Sequence, residues 1–190
     1  MRVLAACEFS GRVRDAFIAR GHDAVSCDLE PSLSPGPHIQ DDVRRHLEGW
    51  DLIIAFPPCK YLCASGASWH YGSPRMGEAI GFVRELANAP CERIAIENPI
   101  GALSTHWRKP DQYIQPWEYG HGETKRTCLW LKNLPRLMPT DVVNGRETKV
   151  WHMSSAWSRV RSLTYPGIAT AMADQWSVED ESFSRVAALA

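Results

Sequence analysis

The stretch Asp51-Leu52-Ile53-Ile54-Ala55-Phe56-Pro57-Pro58-Cys59 decides the fold. Its short, nearly continuous apolar run reads as a strand buried on both faces, the habit of a parallel sheet. Two prolines stop the run, because neither can donate to a ladder and each restricts the residue before it. They leave Cys59 at the carboxyl end of the strand, the edge where ligands and chemistry collect in open α/β sheets. A thiol held there on a rigid turn is a candidate nucleophile. The competing reading is a small buried hydrophobe, the usual fate of a free cysteine.

Outward from that strand, Arg2 to Cys7 reads as a first strand and Glu8-Phe9-Ser10-Gly11 as a turn. Val13 to Ala19 has helical spacing, and Ala24 to Cys27 is a second strand with Asp28 at its end. Strand, Gly-containing turn, helix, and strand ending in an acid make a nucleotide-binding half-unit, although a full fingerprint has three glycines where this turn has one. Asp28 also reads as a solvated turn residue. Glu30 to His38 is Pro- and Ser-rich and reads as loop, and Asp41-Asp42-Val43 precedes a short helix toward Trp50. Tyr61 to Arg75 suits a mobile loop over a site, and Gly77 to Asn88 an amphipathic helix. Arg93 to Ile96 is a fourth strand ending in Glu97-Asn98-Pro99, and Cys128 to Leu131 a fifth. Ile168 to Trp176 looks helical, and the acidic, then Ala-rich tail 179–190 reads as loosely held.

This alternation predicts an α/β fold with an open, mostly parallel sheet and helices on both faces. At 190 residues one domain is expected, over 1–178. No run approaches a membrane span and no signal peptide is read, so the expected location is cytoplasmic. Six cysteines without paired ligand spacing suggest reduced thiols, with no metal expected. The net charge of −1 gives no global attraction to nucleic acid, although local basic clusters can still bind phosphate.

Right-handed crossovers bring Cys7 and Glu8, Asp28, Pro57-Pro58-Cys59 and Glu97-Asn98 to one sheet edge. A thiol and a carboxyl group beside a nucleotide-like pocket suit covalent catalysis with acid assistance. Carbon 5 of a pyrimidine is a poor nucleophile until a thiolate adds at the neighbouring ring carbon, and protonation of the ring nitrogen eases that addition. Glu97 then needs burial to raise its pKa. Its alternative reading is a carboxylate capping a turn beside Asn98.

These residues carry a resemblance. Ile96-Glu97-Asn98-Pro99 resembles the Glu-Asn-Val element of the cytosine-5 DNA methyltransferases, with proline for valine, and Phe56-Pro57-Pro58-Cys59 resembles their Pro-Cys loop, continued in Ala64-Ser65-Gly66. Glu8-Phe9-Ser10-Gly11 resembles the Phe-x-Gly cofactor turn, Cys27-Asp28 the ribose-binding acid, Asp42-Val43 the adenine-binding pair, and Tyr165-Pro166-Gly167 the last family element. The order is the family's, and the similarity is greatest to short phage and prophage forms. The resemblance implies a class I, Rossmann-like fold binding S-adenosyl-L-methionine through Cys7, Glu8, Phe9, Ser10, Gly11, Asp28, Asp42, Val43 and Pro57. It implies Cys59 as the nucleophile toward carbon 6 of cytosine in DNA, and Glu97, with Asn98, at the ring nitrogen and exocyclic amine.

Three departures stand out. Arg12-Val13-Arg14 replaces the further glycines of the cofactor turn. The Gln-x-Arg-x-Arg element survives as Glu123-Thr124-Lys125-Arg126-Thr127, so either Lys125 or Arg126 is left to contact the cytosine oxygen. The large target-recognition domain is reduced to 132–164, which interleaves Arg136, Arg146, Lys149, Arg159 and Arg161 with Trp151, His152 and Trp157. That mixture suits nucleic-acid contact, together with the 61–75 loop; it also suits a solvated connection whose tryptophans pack on the sheet. Two other functions fit the same residues: the same chemistry on a free pyrimidine nucleotide, and a non-catalytic DNA- or cofactor-binding module. An amino-group methyltransferase uses a Pro-Pro-aromatic turn here, and Cys59 stands where the aromatic would be.

Overall fold

The computed structural model describes residues 1–64, 71–147 and 158–177. Within them, β1 (Arg2–Ala6), β2 (Asp23–Asp28), β3 (His38–Gln40), β4 (Leu52–Ala55), β5 (Arg93–Pro99), β6 (Gln112–Ile114) and β7 (Thr127–Lys132) form one sheet in the order β3-β2-β1-β4-β5-β7-β6. The first five strands are parallel, and β7 runs antiparallel between β5 and β6. The helices are α1 (Arg12–Ile18), α2 (Pro74–Ala87), α3 (Leu103–His106), α4 (Ser158–Arg161) and α5 (Pro166–Trp176). No described helix is long and apolar enough to cross a membrane.

Period-two alternation along the central strands divides the core between the two faces. Val3, Ala5, Leu52 and Ile54 pack with Val13 and Phe17 of α1 and with Ile168, Met172 and Trp176 of α5. Leu4, Ala6, Ile53 and Ala55 pack on the other face with Met76, Ile80, Val83 and Leu86 of α2 and Leu103 of α3. A strand clothed on both sides needs the continuous apolar run that Leu52–Ala55 supplies. Trp130 and Trp176 are the largest fully buried side chains, and each indole N–H finds a backbone carbonyl, of Arg108 (2.9 Å) and Pro135 (3.0 Å). Both therefore bury apolar area without stranding a donor.

Local chemistry corrects several boundaries. Helix α2 starts at Pro74, ahead of the expected Gly77, because Ser73 caps it by accepting from the Met76 amide (3.3 Å) and proline suits the first turn. The short helix expected toward Trp50 is only a 3-10 turn, Val43–Arg45. Gly49, in the left-handed region, and the Trp50 indole bonded to the His46 carbonyl (2.7 Å) make the rest of the connection to β4 irregular. Strands β3 and β6, which the sequence reading missed, are three residues each at the two sheet edges, too short and too exposed to show an apolar run. The 61–75 stretch is not loop throughout: residues 61–64 are a docked turn and Pro74-Arg75 open α2, while 65–70 lie outside the described residues. The tail 179–190 lies outside them too.

Candidate active site

Strands β4 and β5 pair in parallel register, Ile54 with Ala95 and Ala55 with Ile96. Pro57-Pro58-Cys59 and Glu97-Asn98 therefore leave the sheet side by side. Buried Asn98 ties them together, its Nδ2 donating to the Pro57 carbonyl (2.7 Å). Beyond the prolines, the Leu62 and Cys63 amides both donate to the Cys59 carbonyl (2.9 Å each), closing one helical turn. That turn is bridged to the chain just after Glu97: Ala64 N donates to Ile100 O (2.9 Å) and Ala102 N to Leu62 O (2.7 Å). Gly101 permits this approach, since a Cβ there would lie 1.8 Å from the Leu62 oxygen. We expect Gly101→Ala to cost about 1–3 kcal/mol through backbone displacement. A thermal melt reads that as a loss of several degrees, accompanied by faster alkylation of Cys59 as its turn loosens.

The antiparallel β7 begins at this same edge. Its first residue, Thr127, pairs with Pro99, and Lys125 stands just before it. Thr127 Oγ donates to the Lys125 carbonyl (3.2 Å) and is hydrogen-bonded to the Glu97 carboxyl group. Burial raises the Glu97 pKa above its usual range; the Lys125 ammonium and the Thr127 hydroxyl oppose the shift. The Cys59 pKa is also raised, first by its hydrogen bond to the Cys63 thiol, then by burial and by Cys63 and Glu97 as charges, with Lys125 opposing. Both groups are thus shifted toward their neutral forms beside one cation. Arg126 is outside this cluster: it is exposed, with its guanidinium 5.5 Å from the Tyr113 ring centroid.

Glu97, Ile114, Lys125, Thr127, Ser162, Thr164, Tyr165 and Ile168 line a cavity of about 20 Å³, room for one water. Its outer wall, Ser162 to Tyr165, is strapped down. Lys125 Nζ donates to the Arg161 carbonyl (2.7 Å), Arg12 to the Thr164 carbonyl (2.7 Å), and the Tyr165 hydroxyl to Glu123 (2.5 Å). Sequence reading missed Thr127, Ser162 and Thr164 as lining residues; only the parity that Thr127 shares with Lys125 hinted at the first.

On the other side of β4, the ends of β1 and β2 gather acids. Cys7, left-handed at φ 56°, has its pKa raised by burial and then by Asp28, Cys27 and Asp42. Asp28 accepts from the Glu30 amide (2.9 Å), and burial raises its pKa. Asp42 caps the 3-10 turn and is gripped by Arg44, whose hydrogen bonds lower the Asp42 pKa to about 2; Val43 is buried in the core. Buried Glu8 fills the turn after β1, accepting from the Ser10 hydroxyl and the Gly11 amide (3.1 Å). Phe9 is half-buried, and its carbonyl accepts from Leu33 N (2.8 Å). Arg14, in place of a glycine, is fully buried and bonds the Ser34, Pro35 and Pro37 carbonyls, pinning the 30–37 loop beside the turn.

A larger open groove of about 480 Å³ runs along Gly120 to Glu123 and Gly145 to Glu147, with the Arg146 guanidinium 3.7 Å from the Trp117 ring centroid. It holds neither reactive group. Of the basic and aromatic residues expected to read nucleic acid, Lys149, Trp151, His152 and Trp157 lie outside the described residues. Arg136 is exposed, and Arg161 is half-buried.

The strand order, the antiparallel β7 and the two-faced helical clothing define the Rossmann-like fold of the class I methyltransferases. The structure is similar to the crystal structure of a prophage-encoded E. coli protein provisionally assigned as a DNA modification methyltransferase, with a TM-score of 0.51 and 14% sequence identity. The match covers 75% of this chain and 52% of that one, so the chain spans about half the length of that neighbour. No family model matches the sequence, and no curated protein does.

Proposed function

We propose that the protein methylates carbon 5 of cytosine in DNA, with Cys59 as the nucleophile and Glu97 as the acid. The observation that carries this reading is the placement of a buried carboxyl group, its pKa raised by burial, and a thiol at adjoining strand ends, with the Lys125 ammonium acting on both. Burial favours the protonated state, and the hydrogen bond to Thr127 orients the carboxyl group while opposing that shift. Glu97 can then give its proton to the cytosine ring nitrogen. The Cys59 thiol gives its proton to solvent and its sulfur forms a bond to carbon 6, which makes carbon 5 nucleophilic. After methyl transfer the carbon 5 proton passes to solvent, the carbon–sulfur bond breaks to release the Cys59 thiolate, and the ring nitrogen returns its proton to Glu97. Lys125, whose charge acts on Glu97 and Cys59, would meet the cytosine oxygen in preference to Arg126. For a base to reach Glu97, the strap from Ser162 to Tyr165 must give way.

The methyl donor fits the opposite half of the edge. A dinucleotide or nucleotide needs amide donors in the turn after β1, whereas here the Gly11 amide is already taken by Glu8. The carboxylates gathered at this edge are Asp28, Glu8, which is already bonded to Ser10 and Gly11, and Asp42, which is gripped by Arg44. These suit ribose hydroxyls and a cationic, phosphate-free ligand, as S-adenosyl-L-methionine is. Asp28 would hold the ribose, with Cys7 to Gly11, Asp42-Val43 and Pro57 forming the rest of the cradle. Bound there, the sulfonium group supplies an electrophilic methyl. The segment 132–164, with the 61–75 loop, would contact the DNA; Arg146 on Trp117, with Arg136 and Arg161, belongs to the described part of that surface.

The short 132–164 segment, with little protein to hold an opened duplex, favours a second reading, in which the substrate is a free pyrimidine nucleotide. Expression in a host free of cytosine methylation, followed by mass spectrometry of digested DNA and of the nucleotide pool, separates the two. We expect 5-methylcytosine in the DNA. Its appearance in the pool alone would move the reaction to the nucleotide, and its absence from both, with the donor bound, would leave a binding module.

A further inference from the structure

Cys63 stands one helical turn beyond Cys59, and its amide donates to the Cys59 carbonyl (2.9 Å). Four residues at the helical rise put their Cα atoms about 6 Å apart, within the span of roughly 4.4–6.8 Å that a disulfide accepts. The two thiols are reduced and hydrogen-bonded to each other. The Cys63–Gly101 bridge fixes the far end of the turn, so the pair needs little rearrangement to join. The nearest competing pair, Cys7 and Cys27, is worse placed: Cys27 is wholly buried, with its thiol on the Asp41 carbonyl (3.5 Å). In a cytosol, such a bond is transient and acts as a sensor.

We propose that Cys59 and Cys63 are a redox pair, oxidised by a small-molecule disulfide of the glutathione class to an intramolecular disulfide that withdraws the nucleophile. One cysteine, as thiolate, attacks the glutathione disulfide and releases a glutathione thiol. The other then attacks the mixed disulfide and releases a second. The protein loses two electrons and two protons, and both leave on the glutathione thiols. Because the surroundings keep Cys59 protonated, closure is slow at neutral pH and quickens as pH rises. The loss of activity rests on the methyl-transfer reading; the disulfide itself does not.

The test uses the full chain in glutathione buffers of increasing oxidised fraction, followed by alkylation and tryptic digestion. Lys60 lies between the two cysteines, so trypsin separates them into peptides 46–60 and 61–75. We expect those peptides to appear as one reductant-sensitive species, two hydrogens lighter than their sum. Methylation should fall in step with the linked fraction and return with dithiothreitol. In Cys63→Ser the link is absent and Cys59 carries glutathione instead. Persistent glutathione on Cys59 of the wild type without the link, or prior linkage of Cys7 to Cys27, overturns the proposal. A linked pair in a protein that methylates nothing when reduced would keep the redox pair and sink the methyl-transfer reading.

Discussion

Cys59→Ser is expected to lower methyl transfer by a factor on the order of 10⁴ or more, while donor binding by calorimetry stays as in the wild type. The size follows from position. Cys59 is the thiol at the β4 edge whose charge state answers to both Glu97 and Lys125. A serine hydroxyl fills the same place on the same turn, and the backbone bonds from Leu62 and Cys63 survive. It is a far poorer nucleophile, with a much higher cost of ionisation. Any loss is therefore chemical rather than structural, and a melt that matches the wild type would establish that. A serine variant that methylates normally would return the Pro-Pro turn to amino-group chemistry, which requires no thiol.

Glu97→Gln is expected to cost about 10²–10⁴ in rate, and to do so while stabilising the protein. Burial raises the native carboxyl pKa above its ordinary 4.5. Above that ordinary value the unfolded chain has released this proton while the native state still holds it. Unfolding then releases a proton, and wild-type stability falls as pH rises. Glutamine keeps the size and a hydrogen bond to Thr127 but has no proton to release. Melting curves should thus show the variant ahead of the wild type near pH 7–8, with the gap closing as pH falls to about 4.5. An unchanged gap across that range would mean that Glu97 is ionised in the folded protein and cannot serve as the acid.

The central fold was legible because β1, β4 and β5 are buried on both faces, and that condition writes itself as continuous apolar runs. Cys59 and Glu97 were legible because each directly follows such a run. Other features were set by contacts distant in sequence. Lys125 and Arg126 are sequence neighbours, and only the fold sets the Lys125 charge on Glu97 and the Arg126 guanidinium on the Tyr113 ring. The carboxylate of Glu8 turning back onto its own Gly11 is invisible until the turn is built. The strap over Glu97 depends on bonds from Arg12 to Thr164 and from Lys125 to Arg161, which join segments with no shared pattern.

The packing of α5 against α1 bears on how the protein is made. Val13 and Phe17 lie under Met172 and Trp176, so one face of the sheet stays uncovered from the synthesis of α1 until α5 emerges. At ribosomal speed, that interval is on the order of ten seconds. Once β4 has been made, the nascent chain exposes Leu52 and Ile54 beside Val3, the kind of surface that chaperones bind. Folding is therefore expected to complete only once residues 166–176 have left the ribosome, and a chain stalled before them should be a chaperone client rather than a folded domain.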